Sequence, residues 1–213
     1  MSRPTLAGLL LVSLLVLPAA AQSPRERALA GLGRADDVAA RRAAVQSLSE
    51  VGQMADLPAL ANALRDADPE VRESTEAAMW RVWSRSGDEA SDQLFARGVE
   101  QMNRGRLDQA IATFSELIRR KPEFAEGWNK RATVYYMLGD YQKSLTDCAE
   151  VVRRNPYHWG VLSGYGMIYL RLDQPARALD YFEKALAVNP NLDLEDTIEE
   201  LRALVIQRRK DSI

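Results

Sequence analysis

From residue 91 onward the chain repeats itself every 34 residues, and a fixed period of that length leaves few folds open. Leu94, Trp128 and Leu162 form one column, and Gly98, Ala132 and Gly166 a second. Ala110, Ser144 and Ala178 follow, then Phe114, Cys148 and Phe182, then Leu117, Val151 and Ala185, and last Pro122, Pro156 and Pro190. Between the columns the stretches NRGRLDQA, MLGDYQKS and RLDQPARA each place a polar turn before a renewed apolar pattern. Each unit therefore predicts a helix, a tight turn and a second helix, closed by a proline that cannot continue it.

These columns resemble the tetratricopeptide repeat family: a tryptophan or leucine early in the first helix, a small residue one turn later, then alanine, an aromatic and proline. The resemblance covers three units within residues 88–192 and implies an all-α, right-handed solenoid. The middle unit departs from the pattern at Ser144 and Cys148, and the first has Gln101 where a tyrosine is usual. In this family the first helices line a concave groove that takes up a segment of a partner protein. Helical spacing then assigns Phe95, Val99 and Met102 to the groove from the first unit, and Asn129, Thr133 and Tyr136 from the second. The third contributes Ser163, Met167 and Leu170, with Arg171 at the rim. Some relatives hold a partner's terminal carboxylate with cationic residues from these helices. Here Phe95 and Val99 occupy two of those places, so that clamp is broken.

Residues 36–87 carry a second period, of 31, in which Asp37 matches Asp68, Arg41 matches Arg72, Leu48 matches Met79 and Val51 matches Val82. This stretch resembles short HEAT-like repeats. It is expected to stack on the first tetratricopeptide unit as a continuous solenoid, with Trp80 and Trp83 filling the joint. Residues 22–35 read as a linker or frayed helix, and residues 193–213 as a capping helix with Leu194, Ile198, Leu201 and Val205 along one face.

The first 21 residues combine Arg3, an apolar run from Leu6 to Leu17, and Ala19 and Ala21 before Gln22, the pattern of a cleaved signal peptide. The run is shorter than the roughly 20 residues a spanning helix needs. The expectation is a protein exported to a bacterial periplasm, with no membrane insertion after cleavage.

Cys148 and His158 are the only cysteine and histidine. Cys148 shares a column with two phenylalanines and reads as a small core residue; one cysteine and one histidine make no zinc set. Arginines at 119–120 and 153–154 sit where they complement helix C-termini. With a formal net charge of −2 and no block of either sign, nothing asks for nucleic acid. The reading is a non-enzymatic scaffold without cofactor or metal that binds a protein partner, as a monomer or weak oligomer. The alternative is an oligomerising structural subunit of a cell-envelope assembly.

Overall fold

The computed structural model describes residues 22–211, so the leader lies outside the described residues. Eleven α-helices and one short 3-10 turn (Met54–Asp56) account for the regular structure of these residues. The repeats supply three antiparallel pairs: α5 (Glu89–Asn103) with α6 (Leu107–Arg120), α7 (Ala125–Met137) with α8 (Tyr141–Arg154), and α9 (Trp159–Arg171) with α10 (Pro175–Val188).

Within each pair, closeness depends on one column of small residues facing one column of large ones. A Cβ on Gly98 would lie closer than 3.0 Å to the Phe114 ring, and one on Gly166 closer than 3.0 Å to Phe182, so only glycine fits opposite a phenylalanine. In the middle unit both columns change together: Cys148 stands opposite Ala132, and the buried Ser144 hydroxyl donates to the Ala132 carbonyl at 2.8 Å. The departures at Ser144 and Cys148 are thus a compensated set.

The turns inside the three pairs follow the same register. Gly105 (φ 70°), Gly139 (φ 78°) and Asp173 (φ 55°) occupy the left-handed conformation. Aspartate tolerates this region better than most residues, and Arg208 of the last helix donates to its carboxylate at 2.6 Å. Between units, Arg131 forks onto Asp147 at 2.7 and 2.8 Å and donates to Ser115 of the preceding unit at 2.9 Å. Arg154 does more than complement its helix end: its guanidinium lies 4.6 Å from the centre of the Trp128 ring and donates to the Pro122 carbonyl. The final helix, α11 (Glu195–Lys210), buries Ile198, Leu201 and Val205; the first two join Ala178 and Phe182 in one cluster, as a capping helix should.

The N-terminal helices are α1 (Pro24–Leu32), α2 (Val38–Val51), α3 (Leu57–Ala63) and α4 (Pro69–Trp83). The matched aspartates act as caps: Asp37 accepts from the Ala40 amide at 2.9 Å and Asp68 from Val71 at 3.0 Å. Leu48 and Met79 are fully buried, whereas Val51 is exposed although its counterpart Val82 is buried.

Two expectations are corrected. Residues 22–35 are no linker, because Ser23 and Glu26 form a reciprocal capping box at the start of α1. Arg25 also bonds to the buried Asp56, and Gly31 lets α1 approach the Ala44 methyl. Nor do the aromatic residues of α4 join the first unit. Trp83 is 2% exposed and packs on the third, its ring stacked on His158 at 4.5 Å and against Trp159 at 4.4 Å. Polar contacts fix the same docking. Arg65 donates to the Ala187 and Val188 carbonyls, Asn189 donates to Glu76 at 2.9 Å, and Asn191 to the Leu64 carbonyl at 2.9 Å. The N-terminal segment therefore folds back across the edge formed by the inter-unit turns, and one apolar cluster runs from Val45 and Leu60 through Trp83 to Leu162 and Ala185.

Removing the Trp83 side chain opens that shared cluster, a loss of about 3–5 kcal/mol for a buried aromatic. Trp83→Ala should lower stability by this amount in denaturant titration, and hydrogen exchange in α9 should accelerate with it. Unchanged α9 protection would show that the two segments are not coupled through this ring.

Candidate functional site

The first helices of the three units present the surface that helical spacing singled out, and its residues divide into two groups. Phe95, Val99 and Met102 pack, partly buried, on the apolar cluster of their own unit, and the Phe95 ring meets Phe124 edge-on at 5.6 Å. They support the first pair more than they project from it.

Asn129, Thr133, Tyr136 and Met167 instead line one cavity of about 190 Å³ between α7 and α9. Its floor is Ala132, Ser144 and Cys148, the compensated set of the middle unit. Gly160 and Gly164, one turn apart on α9, form one wall, which is bare at Gly164: nothing lies within 4 Å of where its Cβ would be. Met167 and Leu170 are exposed, and Ser163 is half-buried outside the cavity lining. Arg171 donates to the Tyr136 hydroxyl at 3.3 Å, bringing a cation to the cavity rim. The Trp80 ring, partly exposed, approaches the Gly160 position at 3.1 Å, so the N-terminal segment borders the groove as well.

Beside this cavity lies a buried polar cluster that single-residue reasoning missed. Glu126, 1% exposed, accepts from His158 Nε2 at 2.7 Å and from Asn129 Nδ2 at 3.0 Å. His158 Nδ1 accepts from the Val161 amide at 3.2 Å and so caps α9, which leaves the ring proton on Nε2. The 3.3 Å approach of Asn129 Nδ2 to Nε2 then joins two donors, and Glu126 is the partner of both. Burial pushes the Glu126 carboxyl up, but the hydrogen bonds from its neighbours, His158 foremost, outweigh this and hold it below the usual carboxylate value. Glu126 also sits in the first turn of α7, where the helix dipole favours an anion. The two residues stand 32 apart, in different columns of the 34-residue period, so the repeat pattern does not pair them.

Cys148 is 4% exposed, and burial pushes its thiol up to about 12. Both nitrogens of His158 are engaged elsewhere, so the only imidazole does not activate the only thiol. Among the described residues no group of His, Cys, Asp and Glu is arranged to hold a metal ion, and no helix is long and apolar enough to cross a membrane.

Stacked helix-turn-helix units with a concave face define the class: an α-solenoid built for surface contact. The tetratricopeptide repeat model matches residues 95–158, and a second model of the same description matches residues 159–192. Residues 95–192 are thus tetratricopeptide repeats. A TPR repeat-containing protein of Rhizobium etli is 30% identical over 126 residues, 59% of this chain and 62% of that protein. The small glutamine-rich tetratricopeptide repeat-containing protein of Dictyostelium discoideum is 27% identical over 101 residues, 47% of this chain and 30% of its own length. The matched stretch thus spans less than two thirds of either relative. Among solved structures, the first TPR of Spaghetti (RPAP3) bound to the HSP90 peptide SRMEEVD superposes with a TM-score of 0.52 at 20% identity, over 55% of this chain and 93% of that one. The Sgt2 TPR domain from Aspergillus fumigatus gives 0.53 at 19% identity, over 58% and 83%. Both likenesses are of fold.

The Glu126 cluster predicts the direction of acid sensitivity. A carboxyl whose folded value is depressed contributes stability that is complete above its unfolded value, about pH 4.3, and is lost as pH falls through the folded value. Glu126→Gln keeps an acceptor for His158 but has no proton to take up. The stability gap between wild type and this variant should therefore narrow below about pH 4.3, read by urea titration at several pH values. A gap independent of pH down to acid unfolding would show that Glu126 is not held as an anion.

Proposed function

We propose that this protein is an exported interaction scaffold whose concave face binds an extended segment of a partner protein. The observation that carries the reading is the cavity between α7 and α9, where four side chains expected in the groove converge on one concave, mostly apolar recess. A relative in fold holds a peptide of HSP90, which supports the mode of use without naming the partner here. The packed repeats hold α7 and α9 in place before binding, so a partner meets a preformed surface and much of the ordering cost is avoided. Aromatic and methionine side chains suit such contacts, and Tyr136 and Met167 are the principal anchors. Catalysis has no part in this reading, given a buried, unactivated thiol.

Export to the periplasm rests on the leader pattern of the first 21 residues, and mature protein beginning at Gln22 is the expected product. The N-terminal segment is proposed as a short HEAT-like unit that braces the repeats and supplies Trp80 to the edge of the groove. A second reading, an oligomerising envelope subunit, draws support from α11, which exposes Leu204 and Ile206 at the end of the array. Light scattering on the purified protein separates the two, a monomer favouring the groove and a defined oligomer favouring stacking.

Tyr136→Ala combined with Met167→Ala should weaken capture of the native partner at least tenfold, about 1.4 kcal/mol, while circular dichroism stays unchanged. Full-strength capture by a folded double variant would move binding off this face.

A further inference from the structure

In the first and third units a phenylalanine fills the space beneath the first helix, but in the second it is Cys148, and the volume it vacates is open to the concave face. We propose that this cavity is a socket for one bulky apolar side chain of the partner, phenylalanine, leucine or methionine, carried on an extended segment with an acidic residue beside it. The inference rests on the groove reading above and specifies its occupant.

Four observations converge on that occupant. At about 190 Å³ the recess is large enough for a ring-sized group, since an apolar protein cavity of roughly 150 Å³ accommodates benzene. Its lining carries no charged side chain, so burying a charge there would go uncompensated while burying a hydrocarbon gains transfer free energy. At the rim Arg171 bonds only to the Tyr136 hydroxyl and has no carboxylate partner among the described residues. A partner's Asp or Glu next to the inserted side chain would meet it. Gly164 leaves α9 bare on the side where the segment's backbone must pass, with the Trp80 ring bordering that path at Gly160. The geometry thus sets a two-residue specificity, apolar in the socket and acidic at the rim.

Two independent substitutions close the socket. Ala132→Gly with Cys148→Phe restores the pair found in the flanking units and fills the cavity from below. Gly164→Met fills it from the mouth, at a helical site with open space around the new side chain. The probe is a random dodecapeptide library selected against the purified protein, followed by affinity measurement on the enriched peptides. The expected enrichment is one Phe, Leu or Met adjacent to Asp or Glu. The affinity of such a peptide should fall at least tenfold when its apolar residue becomes alanine, and equally with either socket-filling variant. Arg171→Glu should weaken it at least threefold and remove the acidic preference. Peptides that lose affinity to the Tyr136→Ala, Met167→Ala variant but bind both filled variants at full strength would overturn the socket while leaving the groove. A library that yields no binder sensitive to any of these changes overturns both.

Discussion

Everything in this molecule depends on how closely two antiparallel helices can approach within a repeat, and one pair of positions governs it. Phenylalanine at 114 or 182 demands glycine at 98 or 166, because a single Cβ would collide with the ring. Interiors packed to crystal-like density transmit such a constraint directly, since no slack exists to absorb a methyl group. The middle unit satisfies the constraint from the other side, with a smaller residue below and a larger one above. That exchange preserves helix spacing yet leaves a recess where its neighbours are filled. The feature that departs from the repeat pattern and the feature best suited to binding are therefore the same set of residues.

The second determinant is the N-terminal segment. A solenoid of three units exposes the edge formed by its inter-unit turns, and here Trp83, Arg65 and Asn189 knit that edge to four additional helices. The Trp83 ring stacks over His158, which bonds to Glu126, which bonds to Asn129 at the wall of the cavity. A buried carboxylate is costly unless its lone pairs are satisfied. Docking of α4 shields this cluster from water, so brace and groove are physically continuous. The indole N–H of Trp83, buried without a partner among the described residues, is a cost the stacking must offset.

How much of this was legible in the sequence follows from the range of each interaction. The repeat register, the turn inside each unit, the match of Asp37 with Asp68 and the burial of Cys148 are local or periodic, and pattern reading reached them. Asn129, Thr133, Tyr136 and Met167 were found together by helical spacing. Phe95, Val99 and Met102 were placed on the right helix, but spacing alone does not reveal that Phe124 draws Phe95 inward. The docking of α4 on the third unit was not legible, because Arg65 and Ala187 are distant in sequence and Asn189 and Asn191 read as ordinary turn residues. Helix α1 was read only as a linker or frayed helix although Ser23 and Glu26 spell a capping box, since two glycines masked it and only the close contact with Ala44 explains Gly31.

The central claim is that positions 132 and 148 are coupled by size, and a double-mutant cycle on folding stability tests it most directly. Ala132→Gly alone should destabilise by enlarging the recess, and Cys148→Phe alone by forcing a ring against the Ala132 methyl. The combined variant should recover to at least wild-type stability, with a coupling energy of about 1–3 kcal/mol. Additive losses in the double variant would show that the middle unit does not obey the packing rule of its neighbours, and that the cavity is not the space their phenylalanines fill.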